Sequence, residues 1–103
     1  MNLVISTEAG RAQISITGMI DEVGAKELEQ HMIKLDMNST KEVILDFDKV
    51  EYIGSAGIGV LLLFYKRLAM KDGKIAIKRM QKDIFDLMSK EMNLSKVFQM
   101  SRK

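Results

Sequence analysis

The run Gly54-Ser55-Ala56-Gly57-Ile58-Gly59 separates a strand-like apolar segment, Val43–Phe47, from a helix-like one, Val60–Tyr65. A strand that passes through a glycine-bounded turn directly into a helix points to an α/β arrangement, because each apolar element needs the other to cover it. The turn places one hydroxyl, Ser55, where the helix should open. Serine is a favoured N-cap because its oxygen accepts a hydrogen bond from an orphan backbone N–H. A helix N-terminus also carries about half a unit of positive charge and so tolerates added negative charge. Ser55 is thus a candidate phosphorylation switch, with an ordinary cap as the plain alternative. Gly57 and Gly59 each disfavour a helix by up to ~1 kcal/mol. Two of them in one turn imply close approach, either by a packed neighbouring strand or by a partner.

The remaining pattern supplies the other elements. Leu3-Val4-Ile5 reads as a short strand closed by the turn Glu8-Ala9-Gly10. From Arg11 to Thr17 the chain alternates, with Ala12, Ile14 and Ile16 on one side, the period of a half-buried strand that ends at Gly18. Ala25, Leu28, Met32 and Leu35 then form a helical stripe with Asp21 as its N-cap. Val43–Phe47 is almost continuously apolar, as expected of a central strand covered on both faces. The helix from Ser55 should run to Met70, with Gly73 in the left-handed position beyond its end. Lys74–Lys78 reads as a strand and Asp83–Glu91 as a third helix stopped by Asn93, which accepts the left-handed region. Val97, Phe98 and Met100 form a last strand or short helix. The order β-β-α-β-α-β-α implies a mixed sheet of four or five strands with helices packed on it.

Composition removes several functional classes. The 103 residues suit one domain, residues 1–103, with a single core. The chain has no cysteine, so disulfides and thiolate metal sites are impossible, and one histidine, His31, leaves little for metal binding or His-based catalysis. Net charge is only +2, and the basic cluster Lys96, Arg102 and Lys103 reads as a solvated tail, so no nucleic-acid partner is expected. Met1–Ser6 lacks the basic and long apolar regions of a signal peptide, and Val60–Tyr65 is far shorter than the ~20 residues of a membrane span. A soluble, cytoplasmic protein without membrane contact follows as an expectation. The glycine turn also fails as a nucleotide loop, because no Lys follows Gly59 and the glycines are not spaced G-x-G-x-x-G. Ile53 stands where a nucleophile elbow needs its first glycine. Neither a cofactor nor an enzymatic activity is expected. Nine methionines could suggest an adaptable surface, but Met32, Met70 and Met88 fall at helix-core spacings.

The stretch from Val43 through Leu61, with Val50-Glu51-Tyr52-Ile53-Gly54-Ser55-Ala56-Gly57 at its centre, resembles the signature of STAS domains, and within them the stand-alone anti-sigma factor antagonists. Gly18-Met19-Ile20-Asp21 followed by Ala25 and Leu28, the turn Lys71-Asp72-Gly73-Lys74, and the closing segment Ile84–Phe98 extend the resemblance over nearly the whole chain. It implies the STAS fold and a partner switch. The unphosphorylated protein binds an anti-sigma factor that is also a serine kinase, a sigma factor is released, phosphorylation at the serine matching Ser55 ends the contact, and a protein phosphatase resets it. Asp21, Gly54, Ser55, Ala56, Gly57 and Ile58 are the partner-binding candidates, and a weak homodimer is compatible with the pattern. Two positions depart from the family. Gly54 stands where an Asp usually precedes the acceptor, which removes a negative charge and an alternative cap. Asn93 replaces a glycine. Gly54 also keeps open a second reading, a non-phosphorylated STAS adaptor or scaffold subunit in a signalling or lipid-transport assembly.

Overall fold

The computed structural model describes residues 1–103. Its elements are β1 (Asn2–Glu8), β2 (Arg11–Ile20), α1 (Glu22–Ile33), β3 (Glu42–Ile53), α2 (Ser55–Ala69), β4 (Lys74–Met80), α3 (Lys82–Asp86) with a following π-helical turn (Leu87–Glu91), and β5 (Gln99–Arg102). Five strands lie side by side in the order of the sequence. β1 and β2 form an antiparallel hairpin, and every later neighbour is parallel. Parallel neighbours need a crossover connection, which α1, α2 and α3 supply. This is the mixed sheet with packed helices that the sequence implies, in its five-stranded form.

Register turns the alternating pattern into a core. Ala12 lies opposite Val43, which lies opposite Ile75, and Ile14, Leu45 and Ile77 form the next row. All six are sealed from solvent, and α1 covers them with Ala25, Leu28 and Met32 while α2 adds Ile58, Leu61, Phe64 and Leu68. Only one face is closed in this way. Ile44, Asp46 and Asp48, on the other side of β3, remain partly exposed, so the expectation of a central strand covered on both faces is corrected.

β2, β3 and β4 run further than their alternation suggests, and local backbone irregularities mark where. Against β2, β3 carries an irregularity between Ser15 and Thr17 and another between Gly18 and Met19. Phe47, Val50 and Ile53 therefore all turn inward at a spacing of three, and a period-two search loses the strand after Phe47. β2 likewise continues past Gly18 to Ile20, with Gly18 itself at φ +105°. In β4 a left-handed Arg79 (φ +57°) keeps both Lys78 and Arg79 outside while Met80 turns into the core. The end of α2 holds a further correction. The left-handed residue is Asp72, φ +60°, and Gly73 is needed for space, since a Cβ there would stand 3.0 Å from Leu68 Cδ2 and 3.1 Å from the Leu68 carbonyl oxygen. Asn93 does adopt the left-handed conformation, φ +54°. Phe98 anchors the segment before β5, buried and edge-on to Tyr65 at 5.9 Å between ring centroids.

The open sheet face is held by ions. Arg79 grips the Asp46 carboxylate through two nitrogens, with Nε donating over 3.1 Å. It also reaches within 3.9 Å of Asp48, whose other oxygen lies 2.9 Å from Lys103 Nζ. The Arg79 hydrogen bonds hold the Asp46 carboxyl below its ordinary pKa, and the Lys103 bond does the same for Asp48. A carboxyl depressed in the folded state contributes stability above its unfolded pKa and loses that contribution as pH falls through the folded value. The urea midpoint should therefore fall as pH is lowered below about 4. Asp46→Asn should be less stable at pH 7 and show a shallower acid slope, and identical slopes for the two chains would contradict the assignment.

Candidate functional site

Two helices begin at one edge of the sheet because two strands end there in register. Ile20, the last residue of β2, lies opposite Ile53, the last residue of β3. Each is followed at once by an N-cap, Asp21 for α1 and Gly54 for α2. The Gly54 N–H donates to the Ile20 carbonyl over 3.0 Å and ties the two junctions together. Asp21 and the Gly54–Ser55 turn thus share one rim.

The caps differ. Asp21 accepts from the Gly24 N–H through Oδ1 at 2.8 Å, as the sequence predicts. At α2 the expectation of a capping Ser55 is corrected. Gly54 is the N-cap, in extended conformation (φ −98°, ψ −179°), and its carbonyl accepts from the Ile58 N–H over 3.1 Å. Ser55 is the first helical residue. The reason is that β3 runs to Ile53 and leaves a single residue to make the turn. No side chain caps α2 and no acidic residue lies in its first turn, so the N–H groups of Ser55, Ala56 and Gly57 have no intrahelical acceptor and the positive end of the dipole is uncompensated.

The partner-binding candidates divide by exposure. Asp21, Ser55 and Ala56 are exposed and Gly54 is half-buried, whereas Gly57 and Ile58 are buried. A Cβ on Gly57 would stand 2.6 Å from Ile20 Cγ2, 3.0 Å from Ile53 Cγ1 and 3.2 Å from the Ile20 carbonyl oxygen. Gly57 is therefore the close approach to a packed strand, and with Ile58 it supports the turn from below and is unavailable as contact surface. Gly59 is the opposite case, exposed, with nothing within 4 Å of a Cβ built on it.

Sequence reasoning missed the apolar residues around this rim. Met19 and Tyr52, opposite one another across β2 and β3, are each about half exposed. Val23 on α1 and Leu63 on α2 are more exposed still. Leu63 flanks a shallow cleft between α1 and α2, whose other walls are Glu29, Met32, Val60, Phe64 and Arg67. The sequence does hold the signal, because α2 is apolar all round from Val60 to Tyr65, more than one buried stripe can use. Elsewhere, no group of three or more acidic or histidine side chains converges as a metal site, and no helix is long and apolar enough to cross a membrane.

Comparison with known proteins agrees with this geometry. The family model of the STAS domain matches residues 2–103. A Bordetella bronchiseptica protein named as an anti-sigma factor antagonist, BtrV, is 24% identical over 90 residues, covering 84% of this chain and 78% of its own. The crystal structure of an anti-sigma factor antagonist from Mycobacterium paratuberculosis superposes with a TM-score of 0.83 at 24% identity, over 99% of this chain and 86% of that one. The Bacillus protein SpoIIAA in its phosphorylated form superposes with a TM-score of 0.77 at 11% identity, over 99% and 93%. These likenesses in structure establish the fold.

The two glycines of the turn should respond in opposite directions. Gly57→Ala forces a methyl against Ile20 and should destabilise by about 1–3 kcal/mol despite alanine's better helix propensity. Gly59→Ala meets no obstacle and should stabilise by up to ~1 kcal/mol. Urea denaturation measures both, and a stabilised Gly57→Ala would contradict the packing described.

Proposed function

The chain belongs to the STAS domain family, and on that premise we propose that it is an anti-sigma factor antagonist switched by phosphorylation of Ser55. The observation that carries this reading is Ser55 itself, an exposed hydroxyl on the first residue of a 15-residue helix that no side chain caps. Beneath it lies a junction closed by Gly57. The names of the Bordetella and mycobacterial relatives support it. So does the superposition of this fold on SpoIIAA in both its unphosphorylated and its phosphorylated forms.

In the unphosphorylated state Ser55, Ala56 and Gly59, with Asp21 on the same rim and Met19 and Tyr52 near the strand ends, offer the docking surface to an anti-sigma factor. Binding withholds that factor from its sigma factor. The anti-sigma factor, acting as a kinase, transfers the γ-phosphoryl group of ATP to Ser55 Oγ. The new O–P bond forms as the bond to the β-phosphate bridging oxygen breaks, ADP leaves, and the hydroxyl proton passes to the kinase's base. The added group carries about −1.5 to −2 charges. The helix end offsets some of this within the chain, by about 0.3–1 kcal/mol, so the fold persists. At the docked surface the same charge loses water without gaining a partner, which costs a few kcal/mol, and ~2.8 kcal/mol is already a hundredfold in affinity. The partner is released, and a phosphatase restores the hydroxyl. The chain acts in this cycle as binder and substrate, and performs no catalysis of its own.

Intact-mass measurement after incubation with ATP and the cognate anti-sigma factor tests the switch. A single phosphate adduct is expected on the natural chain and none on Ser55→Ala, which should bind persistently. Ser55→Asp should lose affinity for the partner while its Tm stays within a few degrees. An adduct on Ser55→Ala would place the acceptor elsewhere. Binding without any adduct on the natural chain would favour the adaptor reading that Gly54 keeps open.

A further inference from the structure

Gly54 is not required by the backbone. Its φ of −98° and ψ of −179° are ordinary extended values, open to any residue. The absence of a side chain there permits something else. A Cβ on Gly54 would stand 2.9 Å from the Tyr52 hydroxyl oxygen, 3.4 Å from Cε2 and 3.5 Å from Cζ. The phenol ring therefore lies back along the junction, hydroxyl end nearest, in the space that a side chain at position 54 would claim. The two residues form one unit.

We propose that Tyr52 is the specificity-determining residue of this turn, the group by which the anti-sigma factor reads the surface next to Ser55; the inference rests on the antagonist reading above. Tyr52 is 48% exposed, although Val50 and Ile53 beside it are buried, so its ring serves the rim and not the core. Met19, its partner across the ladder, is 49% exposed and gives the ring an apolar neighbour. An aromatic ring with an apolar body and a polar tip, backed by a rigid sheet, is the kind of side chain that dominates binding energy at interfaces. The partner that fits is one with a neutral, aromatic-accepting pocket and a hydrogen-bonding group for the phenol, rather than one with cations placed for a carboxylate at position 54. A phosphate on Ser55, one residue beyond Gly54, would then be added at the margin of that same contact.

Calorimetric titration of the chain with its cognate anti-sigma factor tests this. Tyr52→Ala should weaken binding at least about tenfold while Tm, set by the core, moves by no more than a few degrees. Tyr52→Phe keeps the ring and should lose less. Gly54→Ala, which leaves Tyr52 in place but pushes its ring out, should weaken binding by a similar factor, and should add nothing in the Tyr52→Ala background, because the contact it disturbs is already gone. Affinity within twofold of the natural chain for Tyr52→Ala, or equal losses from Gly54→Ala in both backgrounds, would overturn the inference and leave the antagonist reading standing. A natural chain that does not bind the anti-sigma factor at all would overturn both.

Discussion

The first turn of α2 sits so close to the ends of β2 and β3 that position 57 has room for a hydrogen and not for a methyl group. From that contact the rest of the site follows. With Gly57 pressed against Ile20 and Ile53, the axis of α2 is set relative to the sheet, and Ile58, Leu61, Phe64 and Leu68 fall onto the apolar rows of β3 and β4. The residues on the outer side of the same turn, Ser55, Ala56 and Gly59, are left exposed with no further choice. Burial and exposure here come from one packing event.

That arrangement keeps the Ser55 hydroxyl apart from the groups that stabilise the fold. The core rows, the Asp21 cap and the Arg79–Asp46 ion pair lie in the sheet, at the start of α1 and on the open face, and none of them uses the Ser55 hydroxyl. On the proposed reading, a change of charge at Ser55 therefore acts on a partner docked at the rim and barely on what holds the chain together. The switch proposed above would need no second conformation. In that proposal the two states differ by a covalent group, and the discrimination arises from the desolvation of that group at the contact.

Much of this was legible in the residues. The strict alternation from Arg11 to Thr17 appears in β2, the stripe Ala25, Leu28 and Met32 appears in α1, which ends at Ile33 short of Leu35, and the glycine turn does join a strand to a helix. What escaped has a common cause in backbone irregularity. The extra residues in β3 break the period of two, so the strand reads as ending six residues early, at Phe47 instead of Ile53. Serine's capping preference points to Ser55, whereas β3 running to Ile53 leaves Gly54 as the cap. The left-handed Arg79 hid the end of β4 in the same way. The exposure of Tyr52 and Met19 is not legible in the pattern, because on a bulged strand it depends on register, which pattern alone does not fix.

The proposed switch requires a scaffold that is indifferent to charge at its rim. The most direct measurement is a ¹H–¹⁵N correlation spectrum of the chain carrying phosphoserine at position 55, compared with the unmodified chain. Shifts confined to the amides of Tyr52–Gly59 and of Asp21 and its neighbours, with Val43, Leu45 and Ile77 unmoved, are the predicted result. Displacement or broadening of those core strand amides would contradict it, since the phosphate would then act by remodelling the fold.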